Sequence, residues 1–305
     1  MILTSVRVKV KKALDTYQAG GMIVLLYHAI GYFWKECAWL WIRMRTHSEL
    51  IERTIYGNRM YLSSHDTGIS KELAVFGTHE PIATRLLNQQ IKPGMHVVDI
   101  GANIGYYALQ EARLVGETGE VIAIEPVPDN VSLLTKNIET NGYQNLRIYS
   151  VAIGAENGTT KLYLSHESNL AALTSQKDVH DTCIDVPLRT LDSFLEYEGQ
   201  VDLIRMDIEG YETEAIKGMI DILAKHKPIL FIEIHQFIVG GEPIIQFLRT
   251  LKELGYETRY VIGRVFDNAV VKGKKYTETM SLDELMLDRW VVQGRGAMTI
   301  FCTTM

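Results

Sequence analysis

The stretch His96-Val97-Val98-Asp99-Ile100-Gly101-Ala102-Asn103-Ile104-Gly105-Tyr106-Tyr107 constrains the fold more than any other. A short apolar run ends in an acid, and a turn containing two glycines then opens into a helical pattern. This is the sequence form of a strand passing through a tight turn into a helix. Gly101 and Gly105 permit a backbone that side chains would block, so a ligand is expected to approach the main chain closely there. A helix beginning near Gly105 would point its free N–H groups and positive dipole end at that ligand.

A dinucleotide fingerprint would read G-x-G-x-x-G. The spacing here is Asp-x-Gly-x-x-x-Gly, with Asp99 two residues before the first glycine. A carboxylate at that point repels a pyrophosphate and suits a cationic amino-acid head group. The next expected strand, Glu120-Val121-Ile122-Ala123-Ile124-Glu125, ends in an acid 20 residues past Gly105. A carboxylate so placed accepts both hydroxyls of a ribose. An amino-acid end at Asp99 and a ribose at Glu125 together describe S-adenosylmethionine.

Apolar, β-branched runs continue to alternate with helical segments. Strands are expected near 95–100, 120–125, 146–151, 201–207, 228–234, 256–262 and 297–303. Helices are expected near 79–90, 105–115, 129–141, 190–197, 211–224 and 243–254, the first with Pro81 in its opening turn. This pattern indicates an α/β fold with a mostly parallel sheet covered on both faces. The last run, Ala297 to Cys302, has no helix of the usual kind before it and reads as an antiparallel closing strand. Upstream, a Gly57-Asn58 turn between two alternating runs signals a hairpin. Lys161–Leu164 and Ile184–Leu188 read as a second, inserted hairpin. Residues 263–295, with the Lys-rich run Lys272-Gly273-Lys274-Lys275 and a short helical pattern from Ser281, are expected to help cover a pocket.

The first 48 residues stand apart as an apolar, aromatic helical extension, with the main domain at 49–305. Arg7, Lys9, Lys11 and Lys12 precede a run from Met22 to Ile42 that includes Phe33, Trp34, Trp39 and Trp41. A transmembrane span needs about 20 apolar residues, and this run is broken by His28 and Lys35-Glu36. No small-residue cleavage site follows it, which disfavours a signal peptide. An interfacial or protein-packing helix remains, with membrane-surface or partner contact through residues 20–45. Cys37, Cys183 and Cys302 are far apart and form no C-x-x-C, so a reducing, cytoplasmic setting fits. The net charge of −6 lacks the basic excess of a nucleic-acid footprint.

A second constellation stands at the end of the fourth strand, Met206-Asp207-Ile208-Glu209-Gly210-Tyr211-Glu212. Ligands of an open α/β sheet sit beyond the carboxyl ends of its strands, so Asp207 and Glu209 should face the same crevice as Asp99 and Glu125. Alternation puts Glu233 and His235 of the following strand on one side of it. Asp207 could instead cap the helix opening at Gly210, Glu209 could complement that helix's dipole, and His235 could be a satisfied core histidine. Asp207, Glu209 and His235 are ligand types suited to Mg²⁺ or Mn²⁺, but the D-x-D-type spacing is missing and no metal is assigned.

Val98 to Tyr107, Ile124-Glu125-Pro126-Val127-Pro128-Asp129-Asn130 and Met206 to Glu212 together resemble the FkbM-type S-adenosylmethionine-dependent methyltransferases. His79-Glu80-Pro81, Asn137-Ile138, Asn141-Gly142, Val151-Ala152-Ile153-Gly154 and Glu233-Ile234-His235 extend the resemblance over about residues 56–262. It implies a class I methyltransferase (Rossmann-like) three-layer sandwich, with a seven-stranded sheet and the last strand antiparallel. It also implies methyl transfer to a hydroxyl oxygen of a sugar, glycan or secondary metabolite. Cofactor roles carry over to Asp99, Gly101, Asn103 and Gly105 at the amino-acid end, and to Glu125, with Pro126 and Asn130 of the same motif, at the ribose. Ala152 carries over beside the adenine, and Asp207 counts among the cofactor residues as well. Position 205 is Arg where the family more often has Lys. Catalysis would be positioning plus removal of the hydroxyl proton by Asp207 or His235, with Glu209 orienting the substrate. The competing readings are a non-catalytic binding protein on the same fold and a nicotinamide-dependent oxidoreductase.

Overall fold

The computed structural model describes residues 29–164, 173, 182–195, 199–263 and 277–304, together with Met22 and Leu26. The basic residues at 7–12 and the Lys-rich run at 272–275 lie outside the described residues. Helix α1 (29–45) buries Trp39 and Ile42 in the same core as Ile51, Met60 and Leu73. Its opposite face leaves Ile30, Phe33, Trp34, Leu40, Trp41 and Met44 exposed. No helix among the described residues is long and apolar enough to cross a membrane.

Strands β1 (Leu50–Ile55) and β2 (Asn58–Ser63) pair as an antiparallel hairpin. The turn is Tyr56-Gly57, one residue earlier than expected, because Asn58 is already paired with Ile55. Both turn residues have positive φ, 47° and 84°, which matches the right-handed twist of the flanking strands. Helix α2 (Ile69–Phe76) receives α1 through a Trp34–Phe76 ring contact at 5.6 Å and a Glu36–Lys71 ion pair. Helix α3 (Pro81–Gln90) has Pro81 at its start, where a missing N–H costs nothing.

The expected alternation then follows. Strand β3 (His96–Ile100) leads to α4 (Ala108–Val115), β4 (Glu120–Ile124), α5 (Pro128–Asn141) and β5 (Leu146–Tyr149). Strands β6 (Ala152–Ile153), β7 (Gly158–Leu164) and β8 (Thr182–Arg189) form a separate small sheet. The antiparallel β7–β8 pair is the inserted hairpin. After α6 (Leu191–Phe194) come β9 (Leu203–Met206), α7 (Glu212–Ala215), a 3₁₀ turn (Ile216–Gly218) and α8 (Ile220–His226). One helix was expected over 211–224. It is broken at Gly218, where a Cβ would stand 2.0 Å from the Gly154 carbonyl oxygen, so the backbone passes too close for a continuous helix. Strand β10 (Ile229–Ile234), α9 (Gln236–Val239), α10 (Gly241–Glu253), β11 (Tyr256–Gly263) and β12 (Thr277–Glu278) follow. The chain closes with α11 (Leu282–Leu287), capped by Ser281, then α12 (Arg289–Val292) and β13 (Met298–Thr304).

The main sheet has the order β12-β11-β13-β10-β9-β3-β4-β5. From β5 to β10 every neighbouring pair is parallel. Strand β13 is antiparallel, as expected of the last strand, and inserts between β10 and β11. The two-residue β12 adds an eighth strand at the edge. Alternate residues feed two cores: Val97, Val121 and Leu203 pack toward α1, α4 and α5, while Val98, Ile122 and Ile204 pack toward α8 and α10. Both faces are covered, giving the three-layer class I methyltransferase architecture and explaining why these strands are apolar throughout.

Candidate active site

A cleft of about 870 Å³, open solvent at its mouth included, lies beyond the carboxyl ends of β3, β4 and β9, where the chain order of the sheet reverses. Open α/β sheets hold ligands at this point because the outgoing loops diverge to either side. Gly101, Ala102 and Asn103 form its floor, Glu125, Pro126 and Asn130 one end, and Ala152, Ile153 and Leu162 an apolar flank. Tyr106, Tyr107, His79 and Ile69 make the opposing wall, and Arg205, Asp207 and Glu209 the far end.

Packing alone already demands both glycines. A Cβ on Gly101 (φ 83°) would lie 1.9 Å from the Asp207 carbonyl oxygen, and one on Gly105 (φ 93°) 2.5 Å from Leu134 Cδ1. Gly101 thus lets the β9 loop pass closely over the turn, and Gly105 lets α5 close against it. Gly105 does not line the cleft, and helix α4 begins at Ala108, three residues later than expected.

Glu125 sits where a ribose carboxylate was expected. Its Oε2 accepts the Asn103 N–H at 2.8 Å, and its Oε1 accepts the Val127 N–H at 2.9 Å and the Asn130 amide at 3.3 Å. The side chain thereby joins the two loops of the cleft floor. Burial pushes its pKa up to about 7, with the three N–H donors pulling the other way.

Asp99 departs from its expected place. It has no exposed surface and does not line the cleft. Its Oδ1 accepts from Arg205 Nη1 at 2.9 Å, so the guanidinium stands between it and the ligand space. Arg205 also donates to the Gly101 carbonyl at 3.0 Å and to Asp207 Oδ2 at 2.9 Å, and lies 4.2 Å from the Tyr107 ring centroid. Burial opposes its charge, but Asp99 and Asp207 outweigh that and raise its pKa. Asp207 therefore does not cap the following helix; its carboxylate is held by the arginine two residues before it.

His235 lies behind the cleft, 3% exposed. Its Nδ1 is 2.8 Å from Glu212 Oε1, and its Nε2 faces Glu209 at 3.2 Å, Glu233 at 3.6 Å and Asp207 at 3.9 Å. Burial disfavours the imidazolium, yet Glu209, Glu212 and Glu233 hold its pKa well above the usual histidine value. Donor atoms of Asp207, Glu233 and His235 lie within 4.8 Å of one another, so the metal-ligand types weighed from the sequence converge, with Glu233 in place of Glu209.

Sequence reasoning missed Arg205 as the centre of the far end, and Tyr107, which covers it and donates to Glu80 Oε2 at 2.9 Å. It also missed Glu212, which holds His235. The signal for Glu212 was present in the Glu209-Gly210-Tyr211-Glu212 run, but nothing local shows that its side chain turns inward.

A model of the FkbM methyltransferase domain matches residues 99–258, which include Gly101, Glu125, Ala152, Asp207 and Glu209 of the cleft. The protein-L-isoaspartate O-methyltransferase of Methanococcoides burtonii is 39% identical over 59 residues, 19% of this chain and 29% of that protein. Methyltransferase 1 of Beauveria bassiana is 25% identical over 148 residues, 41% of this chain and 58% of that protein. The chain thus spans 29% and 58% of the lengths of these two curated relatives. Among solved structures, the FkbM methyltransferase of Methylobacillus flagellatus aligns at 16% identity and a TM-score of 0.41, over 76% of this chain and 53% of that one. Aeropyrum pernix fibrillarin, solved with natively bound S-adenosyl-L-methionine, aligns at 14% identity and a TM-score of 0.39, over 73% of this chain and 74% of that one. With more than half of its length matched by the domain model, and the cleft at the reversal of the strand order, the chain belongs to the FkbM methyltransferase family.

Proposed function

We propose that this protein transfers a methyl group from S-adenosylmethionine to a hydroxyl oxygen of a sugar, glycan or secondary metabolite. The observation that carries this reading is the division of the cleft. One end presents Glu125 beside the apolar flank of Ala152, Ile153 and Leu162, which suits a nucleoside. The other presents the carboxylates of Asp207 and Glu209, which suit a hydroxylic acceptor. Glu125 accepts the ribose hydroxyls, and Gly101 and Asn103 line the floor beside the donor. The bound donor supplies a sulfonium methyl whose carbon–sulfur bond breaks toward sulfur as the carbon–oxygen bond forms. Asp207 or Glu209 takes the hydroxyl proton, since both line the cleft and His235 does not. The far wall, Arg205 with Tyr107 over it, holds Asp207 in place.

Calorimetric titration with S-adenosylmethionine, with NADH as control, tests the donor. Micromolar binding of the first alone is expected, weakened in Glu125→Ala. Absence of binding would favour the non-catalytic alternative, and binding of NADH alone the oxidoreductase. With donor binding established, Asp207→Asn and Glu209→Gln, assayed on hydroxylated acceptors, separate the proton acceptor from its neighbour.

The outer face of α1 supports contact with an anionic membrane surface. Its exposed residues, including Ile30, Phe33, Cys37, Leu40, Trp41 and Met44, recur three and four apart, with Arg43 and Arg45 beside them. Arg7, Lys9, Lys11 and Lys12 add positive charge upstream. The full chain should sediment with vesicles containing phosphatidylserine and fail to do so as Phe33→Ser/Trp41→Ser. A chain that ignores vesicles and elutes as a dimer split by those substitutions would assign the face to a second copy.

A further inference from the structure

We propose that Asp207, Glu233 and His235 form a divalent-cation site just behind the far end of the cleft, suited to Mn²⁺. One donor atom from each lies within 4.8 Å of the others, and two of the three residues are buried. They come from the carboxyl ends of two adjacent strands, β9 and β10, so the sheet fixes their spacing. One imidazole nitrogen and two carboxylate oxygens form a mixed set that transition-metal dications accept more readily than Ca²⁺.

Three observations go beyond proximity. The first is charge. The continuous run of contacts at this end gathers five carboxyl side chains, those of Asp99, Asp207, Glu209, Glu212 and Glu233, around one guanidinium, Arg205, and one imidazole, His235. Asp99 and Glu212 have no exposed surface and Glu233 is 3% exposed, so the cluster is shielded from water. The second is the asymmetry of Asp207. Its Oδ2 is taken by Arg205, whereas its Oδ1 is buried with no hydrogen-bond partner among the described residues and faces His235 Nε2. An unsatisfied carboxylate oxygen is costly, and a cation relieves it. The third is the hold on the imidazole. Glu212 Oε1 takes Nδ1 at 2.8 Å and so aims Nε2 at the other carboxylates, the support that metal-binding histidines ordinarily have.

Asp207 and Glu209 also line the cleft, so the site adjoins the space proposed for the acceptor. Its role rests on the methyltransferase reading. The cation holds the acceptor oxygen and favours its deprotonated form, Asp207 becomes a ligand, and Glu209 takes the proton.

The full chain, stripped with EDTA and desalted, is titrated with MnCl₂ in the absence of methyl donor, with free Mn²⁺ followed by electron paramagnetic resonance. One saturable site per chain is expected, weakened about tenfold or more in Glu233→Gln and in Asp207→Asn. Asp207→Asn, closer to the cleft surface, serves should Glu233→Gln fail to fold. No saturable binding in the wild-type chain, or unchanged binding in a folded variant, overturns the site and leaves His235 as an ion-paired imidazolium. The same samples are titrated with S-adenosylmethionine. Donor binding without Mn²⁺ binding overturns the cation site alone, and Mn²⁺ binding without donor binding overturns the methyltransferase reading alone.

Discussion

Glu125 should make donor affinity and protein stability respond to pH in opposite directions. Its pKa is raised from the ordinary 4.5 to about 7 by burial. Between those values the folded chain binds more protons at this position than the unfolded chain does. Its contribution to stability is therefore complete below the unfolded pKa and is lost as pH rises through about 7, a change of about 3 kcal/mol over the window. On the proposed ribose contact donor binding runs the other way, because an ionised carboxylate can accept from both ribose hydroxyls and a protonated one cannot. Each pH unit below about 7 should then weaken binding by up to about tenfold. The assay is calorimetric titration with S-adenosylmethionine from pH 5 to pH 8, for wild type and Glu125→Gln. The donor's own amino group titrates as well, so the difference between the two profiles isolates Glu125. Wild-type affinity should climb relative to the variant and level off above neutrality. Parallel profiles would refute the assignment of Glu125 to the ribose.

Gly101→Ala should cost about 3 kcal/mol, combining a left-handed backbone with overpacking against the Asp207 carbonyl, and should weaken donor binding. Denaturant titration reads it, and wild-type stability would mean the β9 loop does not pass that closely. Arg205→Met should lose about 3–5 kcal/mol by leaving Asp99 buried without its counter-charge. Arg205→Lys should recover at least half of that loss in the same titration. A lysine variant as unstable as the methionine one would shift the weight from charge to the fork of the guanidinium.

Much of the fold was legible because its signals are local. Apolar runs spaced by helical segments, Pro81 at a helix start and the Ser281 cap each act within a few residues. Glu125 was legible for the same reason: it follows the last residue of the strand beside the glycine turn, at the carboxyl end of the sheet where ligands sit. The hairpin turn was misplaced by one residue because the register is set by the pairing of Ile55 with Asn58, and the glycine alone does not fix it.

The site's inner arrangement depends on contacts between distant residues. Asp99 ends its strand as predicted, but whether it meets ligand or protein depends on Arg205, 106 positions away. That arginine reaches it because β3 and β9 become neighbours in the sheet. Likewise His235 is held by Glu212 across 23 positions, and only the packing of α7 against β10 turns that carboxylate inward. The sequence by itself determined the layered α/β architecture, the glycine turn and which acids stand at the strand ends, since periodicity and chain direction settle these locally. Only the tertiary structure decided which acids face the cleft and which are paired behind it, because burial and ion pairing belong to side chains brought together by the finished sheet.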